Sequence, residues 1–211
     1  ATLDLARVLG SQHARHARAH AAFARARAGL DHRPGVLVFA IEPGRLHVVA
    51  DGRAGTIPFE TLLVASGATD RVMPVPGWTL PGVFTLGAAQ LALKDQGCLV
   101  GPRVAFVGSS PLLPLVAAQY RRMGAQVAAL CDETGLARKA GAAGRLALAP
   151  DAFALGLSLL AELRRARVPM RFGVTPLRVE GGARVEAIVV ADGRGREERI
   201  ACDAVALGHG L

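Results

Sequence analysis

The feature that most constrains this chain is the stretch RVAFVGSSPLLPLVAAQYRRMGAQVAALCDE, residues 103–133. A short apolar strand over 104–107 runs into Gly108. A small-residue turn follows, then a helix, then a second strand over 126–130 that stops at Asp132 and Glu133. That succession is the opening of a dinucleotide-binding βαβ unit. Such a unit needs a tight turn at Gly108, backbone N–H groups at the helix N-terminus aimed at a diphosphate, and an acidic side chain near the adenosine ribose. Pro111 is expected as the first helical residue, where its missing N–H costs nothing.

The glycine motif of that turn is degenerate. G-x-G-x-x-G is filled by Gly108, Ser109, Ser110, Pro111, Leu112 and Leu113, so a serine stands at the second glycine and a leucine at the third. The Cβ of Ser110 narrows the approach of a phosphate, and Leu113 sets the helix further from the strand. At the other end, Asp132 or Glu133 would accept a hydrogen bond from a ribose 2′-OH and repel a 2′-phosphate, which favours NAD over NADP. Arg138 and Lys139 follow closely and argue the other way. Two further readings stay open: both acids as loop charges, and a domain that keeps its fold as a scaffold after losing its nucleotide.

Composition narrows the class. The chain is 51% hydrophobic with only 4% aromatic residues, an Ala/Leu/Val-rich core. No apolar run reaches the ~18 residues of a membrane helix. The longest candidate, over 146–161, is broken by Pro150 and Asp151. Cys98, Cys131 and Cys202 lie far apart with no C-x-x-C, which encodes neither a disulfide framework, a zinc site nor a dithiol centre. Three buried, reduced thiols in a cytoplasmic protein are expected.

The net charge of +8 raises the question of nucleic acid. Much of it falls between Arg7 and Arg33, on a helix expected over 11–29. Ala14, Ala17, Ala21, Ala24 and Ala28 share one face at helical spacing and are expected to pack on a sheet, while His13, His16 and His20 lie on a different, solvated polar face. No run of aromatics interleaves the arginines, so base stacking has no platform and nucleic acid is not an expected partner.

After Gly35 the pattern turns to strands: 35–42 and 45–51 around Pro43-Gly44, a third over 56–59, and a fourth, apolar, over 62–65. Further on, 151–167 reads as a helix with Asp151 as its cap and Phe153, Leu157, Leu160 and Leu163 buried. A strand over 169–172 follows. A second meander then runs over 174–180, 183–191 and 197–201, turning at Gly181-Gly182 and Asp192-Gly193.

The stretch FETLLVASGATDRVMPVPGWTLPGVFTLGAAQLALKDQG, residues 59–97, carries a family likeness. Its Ser66-Gly67-Ala68, followed by Pro74 and Pro76-Gly77, resembles the A-T-G-x-x-P-x-x-P-x-x-G signature of two-dinucleotide flavoproteins, with the proline spacing altered. A glycine at a strand end lets backbone lie against a flavin, and prolines stiffen the crossing between domains. PGWTLPGVFTLGAAQ resembles the flavoprotein subunit of the opine oxidase, hydrogen cyanide synthase and hydroxyproline or proline dehydrogenase group. That group is similar to the FAD- and NAD(P)-dependent pyridine nucleotide-disulfide oxidoreductases. Near the end, D-x-V-x-x-G over 203–208, closing on Gly208, resembles the second flavin-contacting strand of the same flavoproteins.

The resemblance implies an α/β fold: a Rossmann-like three-layer nucleotide-binding domain with an antiparallel β-meander, plus part of a second, FAD-type domain. Residues 1–97 would be the partial FAD-type domain, 98–200 the NAD(P)-binding domain, and 201–211 a return strand. It also implies FAD in the whole protein, NAD(H) as a second dinucleotide, and a hetero-oligomer in which a second oxidase or dehydrogenase subunit works on amino acids or N-substituted amino acids. Hydride chemistry of that kind requires no side-chain nucleophile, and no catalytic residue is singled out. His209, beside the second flavin strand, is expected as a backbone cap. The family's first G-x-G-x-x-G, which cradles the ADP half of FAD, is not in this sequence. The 211 residues therefore read as an internal piece of a longer protein that on its own binds FAD weakly or not at all.

Overall fold

The computed structural model describes residues 4–10, 12–146 and 149–210. Two compact units divide the chain: 12–67 make one, and 4–10 with 68–210 make the other. Ser11, expected at the start of the first long helix, and residues 147–148, inside the apolar run 146–161, lie outside the described residues, as does Leu211 at the end of the expected return strand.

The chain opens with a short helix, α1 (Leu5–Leu9), which belongs to the larger unit. The smaller unit begins with α2 (Gln12–Ala26), prolonged by a 3₁₀ turn over Arg27–Gly29. Its three-stranded antiparallel sheet is β1 (Leu37–Glu42), β2 (Arg45–Ala50) and β3 (Arg53–Pro58), in that order. Asp51 and Gly52 join β2 to β3 with φ of 49° and 73°, the left-handed pair of a tight hairpin turn. That turn closes the ladder at once, with Ala50 opposite Arg53, so β3 starts earlier than 56.

Two expectations fail in this unit. Residues 62–65 form no strand: Leu63 is 91% exposed and Val64 69%, because no described strand offers them a ladder. The alanine face of α2 is exposed rather than packed on a sheet.

In the larger unit, β4 (Val83–Thr85) leads into α3 (Leu86–Gln96). The Thr85 hydroxyl caps this helix by accepting from the Ala88 N–H, and Gly97 ends it at φ 66°. Then come β5 (Arg103–Gly108), α4 (Leu113–Arg122), β6 (Gln126–Asp132), α5 (Leu136–Leu146), α6 (Pro150–Arg165) and β7 (Met170–Phe172). A meander, β8 (Thr175–Glu180), β9 (Ala187–Ala191) and β10 (Glu197–Ala201), precedes β11 (Ala204–Gly208).

The central sheet has five parallel strands in the order β4-β11-β5-β6-β7. It draws on 83–85 and 204–208 as well as on the 98–200 stretch. Every residue of β11, and all of β5 and β6 after their first residue, is buried, as a parallel sheet covered on both faces requires.

Alternation along β5 assigns the two faces. Val104 and Phe106 join the helices α3, α4 and α6 in one core with Leu93, Leu113 and Leu163. Ala105 and Val107 join the meander in the other, with Val179, Ile188 and Val190. Helices, sheet and meander are the three layers.

Along α6 the buried residues are Leu159 and Leu163, while Phe153 and Leu157 are 38% and 52% exposed, contrary to expectation. Asp151 does not cap it. Ala149 holds the cap position and Pro150 starts the helix, leaving Asp151 in the first turn, where its charge suits the helix dipole. Helix α5 is an addition to the elements expected from the sequence. Among the described residues no helix is long and apolar enough to cross a membrane.

Two contacts tie the helical layer together. The Tyr120 hydroxyl donates to the Ala89 carbonyl at 2.7 Å, and its ring stands edge-on to Phe106 at 5.3 Å. Tyr120→Phe is expected to cost about 1 kcal/mol in urea unfolding, the net worth of one buried hydrogen bond. Arg122 and Arg121 both donate to Glu162, at 2.5 and 2.7 Å. These bonds, Arg122's foremost, hold the Glu162 carboxyl below the usual carboxylate range. A carboxyl depressed in the folded state stabilises the fold above its unfolded value, and that stability is lost as pH falls through the folded value. Thermal unfolding of Glu162→Gln should therefore fall below wild type at neutral pH, with the gap closing below about pH 4.

Candidate functional site

The C-terminal ends of the parallel strands are where an open α/β sheet receives ligands. There β5 and β11 meet at two glycines, Gly108 opposite Gly208. Gly108 has φ 147°, and a Cβ on it would overlap the carbonyl oxygen of Gly208. The glycine expected at this turn is thus required by the neighbouring backbone itself. The Gly208 carbonyl accepts the N–H of Ser109 at 2.8 Å and of Ser110 at 3.0 Å.

The turn then folds back on Ser110. Its hydroxyl accepts the Leu112 N–H at 3.2 Å and its carbonyl the Leu113 N–H at 3.0 Å. Ser110 is buried, 7% exposed. Pro111 is not the first helical residue: α4 begins at Leu113, with Leu112 as cap and a proline, Pro114, inside its first turn. The serine bonds make a separate turn of 110–113 before the helix, which displaces the start.

At the end of β6, Asp132 is buried, with a side chain only 5% exposed. Its carboxylate accepts the Thr134 N–H at 2.8 Å and pairs with the Lys139 ammonium. Lys139 also stands 5.5 Å over the Phe172 ring. Glu133 turns the other way. Its N–H donates to the Gly108 carbonyl at 2.9 Å, and its Oε1 lies 2.6 Å from His209 Nε2.

A carboxylate only accepts, so this bond fixes the Nε2–H form of the ring or its cation. His209 is therefore a side-chain partner of Glu133 rather than a backbone cap, and its buried Nδ1 has no hydrogen-bond partner among the described residues. β11 and β6 flank β5, so the pair joins the ends of the two strands on either side of Gly108.

A cavity of about 520 Å³ opens beside the turn, between the starts of α3 and α4. Ser110, Leu112, Val116, Leu91, Gln90 and Asp70 are among its walls. Asp70, which the sequence did not single out, accepts the Gly87 N–H at 2.7 Å and so anchors the crossing segment to the start of α3. Among the described residues the cavity wall includes the Asp70 carboxylate and no lysine or arginine.

Ser66, Gly67 and Ala68, the flavin-side residues expected from the sequence, are exposed, and around Gly67 no atom lies within 4 Å of where a Cβ would stand. Gly208, expected on the same flavin side, is instead buried, with its own Cβ direction filled by Leu113 and Leu86. Cys98 is exposed, not buried as expected, whereas Cys131 and Cys202 are buried. Burial pushes the Cys131 thiol up to about 12 and Cys202 up to about 11, which keeps both protonated near neutrality. Among the described residues no three His, Cys, Asp or Glu side chains gather as a metal site.

These features define a dinucleotide-fold domain with an antiparallel meander layered on its sheet. Residues 5–211 match the pyridine nucleotide-disulphide oxidoreductase family, and the chain belongs to it. It is 32% identical over 204 residues to hydrogen cyanide synthase subunit HcnB of Pseudomonas protegens, covering 92% of this chain and 44% of the relative. It is 36% identical over 168 residues to an opine oxidase subunit of Agrobacterium tumefaciens, covering 78% of this chain and 33% of the relative. The chain thus spans less than half the length of these curated relatives. Among solved structures, thioredoxin reductase from T. acidophilum superposes with a TM-score of 0.60 at 15% identity, over 92% of this chain and 59% of that one, a likeness of fold.

The two glycines give a graded test. Gly108→Ala strains a positive φ and strikes backbone, whereas Gly208→Ala meets the side chains of Leu113 and Leu86, which can shift. Chemical unfolding should show a loss above about 2 kcal/mol for Gly108→Ala and a smaller loss for Gly208→Ala.

Proposed function

We propose that the whole protein is the flavoprotein subunit of a hetero-oligomeric oxidoreductase that oxidises an amino acid or an N-substituted amino acid. The observation that supports this reading most is the 32–36% identity to subunits of hydrogen cyanide synthase and opine oxidase. Both relatives are named as subunits, which supports a second, partner subunit for this protein. In this reading FAD is the bound dinucleotide of the whole protein, and the chemistry it supplies is two-electron oxidation at the substrate's carbon–nitrogen bond.

The chain's part is to bind and orient. Ser66 offers a hydroxyl, and exposed Gly67, with φ 79° and open space around it, lets a planar ring approach backbone. A reducing compartment such as the cytoplasm suits the free thiols of Cys131 and Cys202.

The test is flavin bleaching in the whole protein purified with its co-expressed partner. Under anaerobic conditions, addition of glycine, proline or an opine in separate runs should bleach the flavin with one of them, in the complex and not in the isolated flavoprotein. A complex whose flavin none of these amines bleaches overturns the reading.

A further inference from the structure

The family's fold implies a second dinucleotide, NAD(P)H, on the turn after β5, and the residues there can be tested for it one donor at a time. A diphosphate at a helix N-terminus is held by free backbone N–H groups. Across the six positions 109–114 there is none to give. Ser109 and Ser110 donate to the Gly208 carbonyl, Leu112 to the Ser110 hydroxyl, and Leu113 to the Ser110 carbonyl. Pro111 and Pro114 carry no N–H at all.

Charge points the same way. The cavity beside the turn presents the Asp70 carboxylate and no cation, so an incoming diphosphate meets repulsion without a counter-charge. The acids at the ribose end are already partnered as well. Asp132 accepts the Thr134 N–H and pairs with Lys139, and Oε1 of Glu133 is held by His209 across the end of β5. The nicotinamide dinucleotide does not fit these residues.

We propose that this domain is a self-closed dinucleotide fold that takes up neither NADH nor NADPH, its phosphate donors satisfied by Ser110 and Gly208 and its crevice latched by the Glu133–His209 pair. The inference rests on the flavoprotein-subunit reading for its setting but on the turn alone for its evidence. Its failure is separate from the failure of that reading, because amine-dependent bleaching does not require a nicotinamide.

The test is calorimetric titration of the whole protein with NADH and with NADPH, followed by thermal unfolding at about 1 mM nucleotide. No saturation is expected below about 1 mM, and no upward shift in Tm, since a ligand stabilises only in proportion to its occupancy. A dissociation constant below about 0.1 mM for either nucleotide overturns the proposal.

A double variant, Ser110→Gly with Pro111→Ala, removes the hydroxyl that holds the Leu112 N–H and restores an N–H at 111. At least tenfold tighter NADH binding than wild type is expected, with the fold checked by circular dichroism. A folded double variant with unchanged affinity overturns the assignment of closure to these bonds. Should the variant not fold, Glu133→Gln with His209→Gln opens the latch without touching the turn. It is expected to raise NADH affinity or the exchange rate of the Ser109 amide, and no change in either overturns the latch.

Discussion

The close meeting of Gly108 and Gly208 is the constraint on which the rest of the larger unit depends. It sits where the strand order turns, between β5, which leads out toward β6 and β7, and β11, which returns beside β4. No side chain fits between these two backbones, and the Gly208 carbonyl takes the first two N–H groups beyond β5. That one carbonyl holds Ser109 and Ser110 in place, and the bonds of Ser110 to Leu112 and Leu113 then set where α4 starts. The glycine expected for the tight bend of a nucleotide-binding turn here also makes room for a neighbouring strand.

Much of this fold could be read from residues alone. The apolar run before Gly108, the strand that ends in acids and the hairpins at Pro43-Gly44 and Asp192-Gly193 fell where local pattern put them, because buried parallel strands and hairpin turns write themselves into consecutive residues. The strand read over 183–191 starts only at Ala187, after a loop over 181–186 rather than a turn at Gly181-Gly182. What escaped depends on partners distant in sequence. Residues 62–65 have strand composition, yet a strand exists only with a ladder beside it. The stripe of α6 was read onto Phe153, Leu157, Leu160 and Leu163; Leu163 is buried as read, but Leu159 takes the place of the exposed Phe153 and Leu157, because α6 packs on α4.

The candidate site was legible in its parts and illegible in its bonding. Gly108, Ser110, Asp132 and Glu133 were picked out by spacing, and the structure gathers them at one end of the sheet. That His209 would reach Glu133, 76 positions away, has no local signal. Nor has the capture of the Leu112 N–H by Ser110, although a serine two residues before a donor, flanked by proline, is a known competitor for a helix start. Lys139 was visible as a charge against a 2′-phosphate argument, and its partner proves to be the very acid meant to read the ribose.

Amide hydrogen exchange at the turn bears most directly on the central claim, that the donors of the dinucleotide turn are already spent. In the free protein the N–H groups of Ser109, Ser110, Leu112 and Leu113 should exchange slowly, and NADH at about 1 mM should leave each rate unchanged. Fast exchange at these four amides, slowed when NADH is added, would mean that the donors stand free and that the turn is a working nucleotide cradle.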